Sequence, residues 1–191
     1  MLEINPSDPK LIQGTPEWLA LRKNKITGTD AAIIMGSNPW KSKKQLYHEK
    51  ISLDHQSISN ERMQRGVDLE PIARDLFSLE MGIVFYPYVG VHDWAMASLD
   101  GINELGTMAV EIKCPGAKTH QLALNGLVPD YYYPQLQHQM WVCDLHYIYY
   151  YSFDGRNGVK IRVERDEFYI QEMIAEEYKF YLCLLNKTEP E

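Results

Sequence analysis

Up to Met81 the apolar positions recur at helical spacing, and beyond Gly82 they largely alternate with polar ones, so the chain reads as helices first and mostly strands afterwards. Thr15-Pro16-Glu17-Trp18 has the form of a helix entry, with a hydroxyl N-cap, proline at the first helical position and an acid facing the dipole. That helix is predicted to end near Lys25. Thr29 or Asp30 is placed to cap a second, short helix from Ala31 to Met35, stopped by Gly36, and Ser42 to cap a third through Lys50. From Asn60 to Met81, the residues Leu69, Ile72, Ala73, Leu76 and Phe77 make one apolar stripe, with Gly82 as the stop and Pro71 marking a kink or a restart.

Strands are predicted at Ile83 to Tyr88, Trp94 to Leu99, Met108 to Cys114, Tyr147 to Phe153 and Val159 to Glu164. Turn signals separate them, among them Asp100-Gly101, Leu105-Gly106 and Asp154-Gly155-Arg156-Asn157-Gly158. One further helical pattern runs from about Lys118 to Gly126 and resumes from Pro134 to Cys143, and another runs from about Asp166 to Asn186. The predicted fold class is α/β, a central mixed sheet of about five strands flanked by helices. With 191 residues the chain suits one core, so a single domain over 1-191 is expected.

Composition keeps the chain globular, at 45% hydrophobic and 24% charged residues. Its apolar runs are strand-sized and MLEINPSDPK lacks a basic segment leading into an apolar one, so neither a membrane span nor an export signal is expected. Three scattered cysteines, Cys114, Cys143 and Cys183, have no paired spacing, which argues against a disulfide framework, a zinc site or a cysteine-ligated cluster and favours a cytoplasmic location. The six histidines likewise show no ligand spacing. The 19 Lys and Arg against 26 Asp and Glu give −7, a poor balance for holding phosphates. Yet Arg22, Lys23, Lys25, Lys41, Lys43 and Lys44 crowd the first quarter, while Glu167, Glu172, Glu176, Glu177, Glu189 and Glu191 crowd the last. That asymmetry predicts two surfaces of opposite sign.

The chemistry concentrates in Ser98-Leu99-Asp100-Gly101 and Ala109-Val110-Glu111-Ile112-Lys113-Cys114-Pro115. Residues two apart on a strand share a face, so Glu111 and Lys113 project together while Ile112 turns to the core. If the two strands pair through the connection at Gly101 to Gly106, Asp100 at its strand end approaches Glu111. Converging carboxylates repel, and a hard, oxygen-seeking cation such as Mg2+ or Mn2+ relieves that repulsion. A pair of such ions would suit phosphodiester hydrolysis, with Lys113 orienting a water or neutralising developing charge. Glu-x-Lys alone is weak evidence: Glu177-Tyr178-Lys179 repeats it on what reads as the solvated face of a helix.

The order of motifs resembles the PD-(D/E)xK nuclease superfamily, whose core is restriction-endonuclease-like, and within it the phage lambda exonuclease type, the YqaJ-like viral recombinases. The blocks that carry the resemblance are Trp18-x-x-x-Arg22 with Ile26-Thr27-Gly28-Thr29, Arg65-Gly66-x-x-x-Glu70, Ser98-Leu99-Asp100-Gly101, Glu111-Ile112-Lys113-Cys114-Pro115 and Gln135-Leu136-Gln137-x-x-Met140-Trp141. Leu99 stands where the superfamily name implies proline. The resemblance implies Asp100, Glu111 and the carbonyl of Ile112 as ligands of about two Mg2+ ions, with Mn2+ a substitute, and Glu70 reaching the ions through water. It also implies Lys113 and Gln135 around the nucleophilic water, and Arg22, Thr29 and Ser98 gripping a terminal 5′-phosphate. Met63, placed in the loop before Arg65-Gly66, stands where relatives carry an apolar wedge between bases.

The implied activity is 5′ to 3′ hydrolysis of linear double-stranded DNA to mononucleotides, leaving a 3′ tail. The implied partners are a single-strand annealing protein and further copies in a ring-shaped homotrimer. Two other readings stand beside it, a structure-selective endonuclease and a non-catalytic DNA-end-binding domain. A Cas4-like branch of the superfamily expects four clustered cysteines. Taken without the family, Arg22 is either an exposed residue of an amphipathic helix or, beside Thr27 and Thr29, part of a pocket, Glu70 either a first-turn acid beside a helix restart or a site acid, and Trp18 and Trp141 either core anchors or DNA contacts. Of Gln135, Gln137 and Gln139 the outer two share a helical face, so only part of the trio can serve one site. Tyrosines 131 to 133 and 149 to 151 read as packing rather than base stacking.

Overall fold

The computed structural model describes residues 7–52 and 61–191, apart from the side chains of Pro9, Arg62 and Met63. Its helices are α1 (Pro16–Lys23), α2 (Gly28–Ile34), α3 (Lys43–Ile51), α4 (Glu61–Met81), α5 (Ala117–Leu124), α6 (Tyr133–Val142) and α7 (Glu167–Asn186). Its strands are β1 (Ile26–Thr27), β2 (Phe85–His92), β3 (Ala95–Asn103), β4 (Ala109–Lys113), β5 (Tyr147–Phe153) and β6 (Gly158–Glu164). Among the described residues no helix is long and apolar enough to cross a membrane.

The strands form one mixed six-stranded sheet, ordered β1-β3-β4-β5-β6, with β2 also on β3. β2 runs antiparallel along the whole of β3, so β1 and β4 share the other edge. On that edge β1 pairs in parallel with Ala95 and Met96, and β4 antiparallel with Gly101 and Ile102. Between those pairings residues 97–100 of β3 have no strand on that edge among the described residues, though β2 pairs with Ala97, Ser98 and Leu99 on the other. β4 and β5 are parallel, and the crossover between them carries α5 and α6. The sixth strand, β1, is only two residues long, too short to leave a periodic signal.

Alternation along β4 divides the molecule. Val110 and Ile112 turn to one face, where Ala73 and Phe77 of α4 pack with Phe85, Tyr151 and Phe153. Ala109 turns to the other, where Leu136 and Met140 of α6 pack with Leu99, Ile148 and Tyr150. Glu111 and Lys113 therefore project towards α6. A further apolar layer joins β1, α2, α3 and α7 through Ile26, Ile33, Ile34, Leu46, Tyr47 and Phe180.

Four expectations are corrected. Asp100 lies inside β3, not at its end, because the strand continues to Asn103 before turning. Thr27, rather than Thr29 or Asp30, precedes α2: its backbone N–H and hydroxyl both donate to Asp30 Oδ2 at 2.9 Å, so the helix starts at Gly28. α4 runs through Pro71 without a restart, and the donor that proline lacks would have served the carbonyl of the exposed Val67. Glu177 is fully buried rather than solvated, since it shares the core stripe of α7 with Met173 and Phe180.

The buried Glu177 has a partner. His138 of α6 sets Nδ1 2.8 Å from Glu177 Oε1, while its Nε2 donates to the carbonyl of Met96 at 3.0 Å. A carbonyl only accepts, so Nε2 carries a proton, and Glu177 favours a second one on Nδ1. The two charge clusters also meet in part. Lys43 pairs with Glu176 at 3.4 Å, and Lys44 and His48 meet Glu189 at 3.1 and 2.9 Å, because α7 and the tail after it fold back beside α3.

Candidate active site

The site occupies the stretch of β3 between β1 and β4. Continuing the β3-β4 register by one residue sets Asp100 across from Glu111, and Asp100 Oδ2 accepts the backbone N–H of Ile112 at 2.7 Å. Glu111 is almost wholly buried, yet it is held by three donors. Lys113 Nζ stands 2.5 Å from Oε1, Gln135 Nε2 2.6 Å from the same oxygen, and Gln139 Nε2 2.6 Å from Oε2. Gln139 also donates to the carbonyl of Ser98 at 3.1 Å, satisfying backbone that a neighbouring strand would otherwise pair. Gln137 turns away, bonding the carbonyl of Glu164 and the N–H of Asp166.

Burial, with Glu111 and Glu70 nearby, holds Asp100 well above the usual carboxylate range. Burial also raises Glu70, against the pull of Arg74. For Lys113 burial acts downwards, but Glu111 and Asp100 outweigh it and keep the ammonium charged. Acids crowded beyond what their own cations neutralise suit a hard divalent ion. Among the described residues no three His, Cys, Asp or Glu side chains are gathered closely enough to hold one alone. A hard divalent ion there would find the carboxylates of Asp100 and Glu111, and would need backbone or water oxygens to complete its shell.

Glu70 reaches the region from α4 through an ion pair with Arg74, whose Nε donates to the carbonyl of Asp100. Arg65 of the same motif is a clamp: it bonds the carbonyls of Cys114, Pro115 and Asp154 at 2.7 to 3.1 Å. Met63 belongs to α4, but its side chain lies outside the described residues.

Beside the carboxylates, Arg22 Nη2 donates to Thr29 Oγ1 at 3.0 Å, and its guanidinium lies 5.3 Å from the centre of the Trp18 ring. Trp18 Nε1 donates to Ser98 Oγ at 3.2 Å. One pocket of about 200 Å³ is lined by both groups: Trp18, Arg22, Thr29 and Ser98 together with Asp100, Glu111, Lys113 and Gln135. Thr27, Gly28, Gln13 and Gln139 complete the wall. A Cβ on Gly28 would stand 3.1 Å from Gln135 Cγ, tight enough that the neighbour must give by a few tenths of an ångström to admit one.

Gln139 and Arg74 were not singled out as site residues from the sequence; helical spacing alone offered Gln139, four positions after Gln135. Gln13 carried no signal. A second constellation, Ser152 Oγ 2.9 Å from His120 Nδ1 with Asp154 3.8 Å from Nε2, imitates a nucleophile triad, but Ser152 is fully buried and serves packing.

Residues 17–146 match the model of the YqaJ-like viral recombinase domain. The chain belongs to that family. Within the YqaJ-like family it is 27% identical over 177 residues to the uncharacterized protein YqaJ of Bacillus subtilis (strain 168), covering 86% of this chain and 54% of that one. It is 24% identical over 161 residues to the uncharacterized protein R354 of Acanthamoeba polyphaga mimivirus, covering 75% of this chain and 29% of that one. The chain thus spans about half the length of the first relative and less than a third of the second.

Among solved structures, an alkaline exonuclease (LHK-Exo) from Laribacter hongkongensis superposes with a TM-score of 0.78 at 28% identity, covering 91% of this chain and 94% of that one. The same enzyme has been solved in complex with dAMP, and that structure gives 0.77 at 29% identity over the same shares. A phage-related exonuclease from Haemophilus somnus 129PT shares the fold, at 0.60 and 14% identity over 85% of this chain and 96% of that one. The expected mixed α/β sheet flanked by helices and the expected family are both borne out.

Proposed function

We propose that this YqaJ-like chain is a divalent-metal-dependent exonuclease that degrades linear double-stranded DNA from 5′ ends, releasing mononucleotides and leaving a 3′ tail. What supports the reading is that one pocket is lined by the carboxylate pair and by the Arg22, Thr29 and Ser98 group. A group that holds a terminal phosphate beside one that hydrolyses the next linkage measures off a single nucleotide. The dAMP complex of LHK-Exo agrees in kind with such a product.

Asp100, Glu111 and the Ile112 carbonyl would hold Mg2+ or Mn2+, about two ions, which when bound supply positive charge to the scissile phosphate and acidify a water. Lys113, charged and 2.5 Å from Glu111, orients that water and offsets charge gathering on the phosphate. Gln135 and Gln139 fix both oxygens of Glu111, so its carboxylate presents one orientation. Glu70, steered by Arg74, contributes a more distant acid to the same region. Arg22 forks onto the terminal phosphate, with Thr29 and Ser98 donating hydroxyl hydrogens.

The catalytic domain in this reading is the whole of 1-191. Copies assemble as a homotrimeric ring that encircles the duplex, and a single-strand annealing protein takes the tail. The deciding experiment uses an end-labelled linear duplex carrying either 5′-phosphate or 5′-hydroxyl, with Mg2+ or with EDTA. Release of 5′-mononucleotides in Mg2+ alone, faster from the phosphorylated end, is the expected outcome. Nicking of closed circular duplex would point to an endonuclease, and digestion from the 3′ end would overturn the assigned direction. Light scattering should give three times the 22.2 kDa chain mass.

A further inference from the structure

We propose that Trp40, backed by Tyr131, which the sequence alone reads as packing, forms a stacking platform for unpaired nucleotides beside the cleft, a single-stranded DNA subsite separate from the terminal-phosphate pocket. It rests on the reading of the cleft as a nuclease site and adds where the parted strand lies.

Trp40 is 71% exposed, unusual for the residue type with the most apolar area to hide. It is not a loose loop tip. Asn38 Oδ1 accepts the backbone N–H groups of Trp40 and Lys41 at 2.9 and 3.0 Å, and Asn38 N donates to the carbonyl of Ala32 in α2 at 3.0 Å. The backbone that carries the indole is thus held in place, which lowers the ordering loss on binding.

Its ring meets Tyr131 edge-on, with centroids 4.9 Å apart and planes at 73°. Tyr131 packs on Tyr132 at 4.5 Å, and Lys113 Nζ lies 5.0 Å over the Tyr132 ring. An unbroken aromatic line therefore leads from solvent to the lysine of the cleft. A stacked strand advances about 3.4 Å per nucleotide, so one that starts at Lys113 reaches Trp40 within about four nucleotides.

Charge supports bases over phosphates as the contact. Lys41, Lys43 and Lys44 flank the indole in sequence, but each already meets a carboxylate, of Glu49, Glu176 and Glu189. What the patch offers is ring area. A base face stacks on it only where it is unpaired, at a parted end, and every base has such a face.

The test is fluorescence anisotropy of a labelled dodecathymidylate without divalent metal, against wild type, Trp40→Ala and Trp40→Phe. Stacking predicts that Trp40→Ala binds about tenfold more weakly and that Trp40→Phe stays within about threefold of wild type. The ratio between wild type and Trp40→Ala should persist in about 300 mM salt. An oligomer of equal length with abasic sugars should bind wild type and Trp40→Ala alike. Equal affinity of wild type and Trp40→Ala for thymidylate would overturn the platform, as would a deficit that persists on the abasic strand. So would a fall in assembly mass for Trp40→Ala, which assigns the ring to a contact between copies. The assay reads no hydrolysis. A wild type that fails to cut 5′-phosphorylated duplex in Mg2+ would overturn the proposed function and leave this binding result to stand or fall alone.

Discussion

Gln139 sets its amide nitrogen 2.6 Å from Glu111 Oε2, the carboxylate oxygen that Lys113 and Gln135 leave to it. Replacing it by Leu keeps the volume and removes the donor from both Glu111 and the Ser98 carbonyl. A hydrogen bond to a charged group contributes about 1.5 to 3 kcal/mol, so single-turnover hydrolysis should fall about ten- to hundredfold with duplex affinity little changed. A rate within twofold of wild type would remove Gln139 from the site.

Asp100→Ala, Glu111→Ala and Lys113→Ala should each abolish turnover while DNA is still bound. EDTA should do the same to wild type, and Ca2+ should restore binding with little cleavage, being larger and less strict in its coordination. Hydrolysis near the wild-type rate in any two of the three variants would move the chemistry elsewhere.

Arg22→Ala should erase most of the preference for a 5′-phosphate over a 5′-hydroxyl end. Loss of a charge-assisted contact is about 1.5 to 3 kcal/mol, so the phosphorylated substrate should slow by about ten- to more than a hundredfold while the hydroxyl substrate barely changes. Parallel losses on both substrates would mean that Arg22 supports α1 and not the phosphate.

Gly28→Ala tests the seam between α2 and α6. The added Cβ would meet Gln135 Cγ at 3.1 Å and Gln139 Cγ at an ordinary 3.6 Å, so the Gln135 side chain or its helix must give by a few tenths of an ångström. Turnover should fall several-fold while thermal stability changes by only about 1 to 3 kcal/mol, the usual range for overpacking. A variant with wild-type kinetics would show that Gln135 and Gln139 tolerate the shift.

The His138–Glu177 pair predicts a pH-dependent stability. Burial alone would lower the His138 imidazole, but Glu177 outweighs it and holds the group above its ordinary 6.5. The native state then binds this proton more tightly than the unfolded chain, so the stabilisation is complete below about pH 6.5 and is lost as pH rises through the native value. Melting temperature should therefore drop towards alkaline pH, less steeply in Glu177→Gln. His138→Ala, which strands a buried carboxylate, should destabilise by about 3 to 5 kcal/mol. Identical pH profiles for wild type and Glu177→Gln would refute the pairing.

Much of this is legible in the amino-acid sequence. The strand at Ala109–Lys113 announced itself by alternation, and the resemblance brought Arg22, Thr29 and Ser98 together with the carboxylates, as the pocket now does. What escaped was long-range. Nothing local to Glu177 says that the apolar stripe of α7 takes it inward, because its partner His138 lies 39 residues away. Arg74 and Gln13 act on backbone carbonyls of β3, and such acceptors are invisible to side-chain patterns. Trp40 left no periodic trace either, since its place depends on where α2 ends.

The pairing of Lys43, Lys44 and His48 with Glu176 and Glu189 changes how DNA would compete for that face. Phosphates arriving there exchange with tethered carboxylates, not with the loosely held ions around a bare lysine. The carboxylates stay on the protein, and each freed acid gathers cations of its own, which offsets those shed by the DNA. Affinity should then fall less steeply with salt than the number of nearby lysines implies. Phosphates would therefore rest there only briefly, each lysine returning to its own acid.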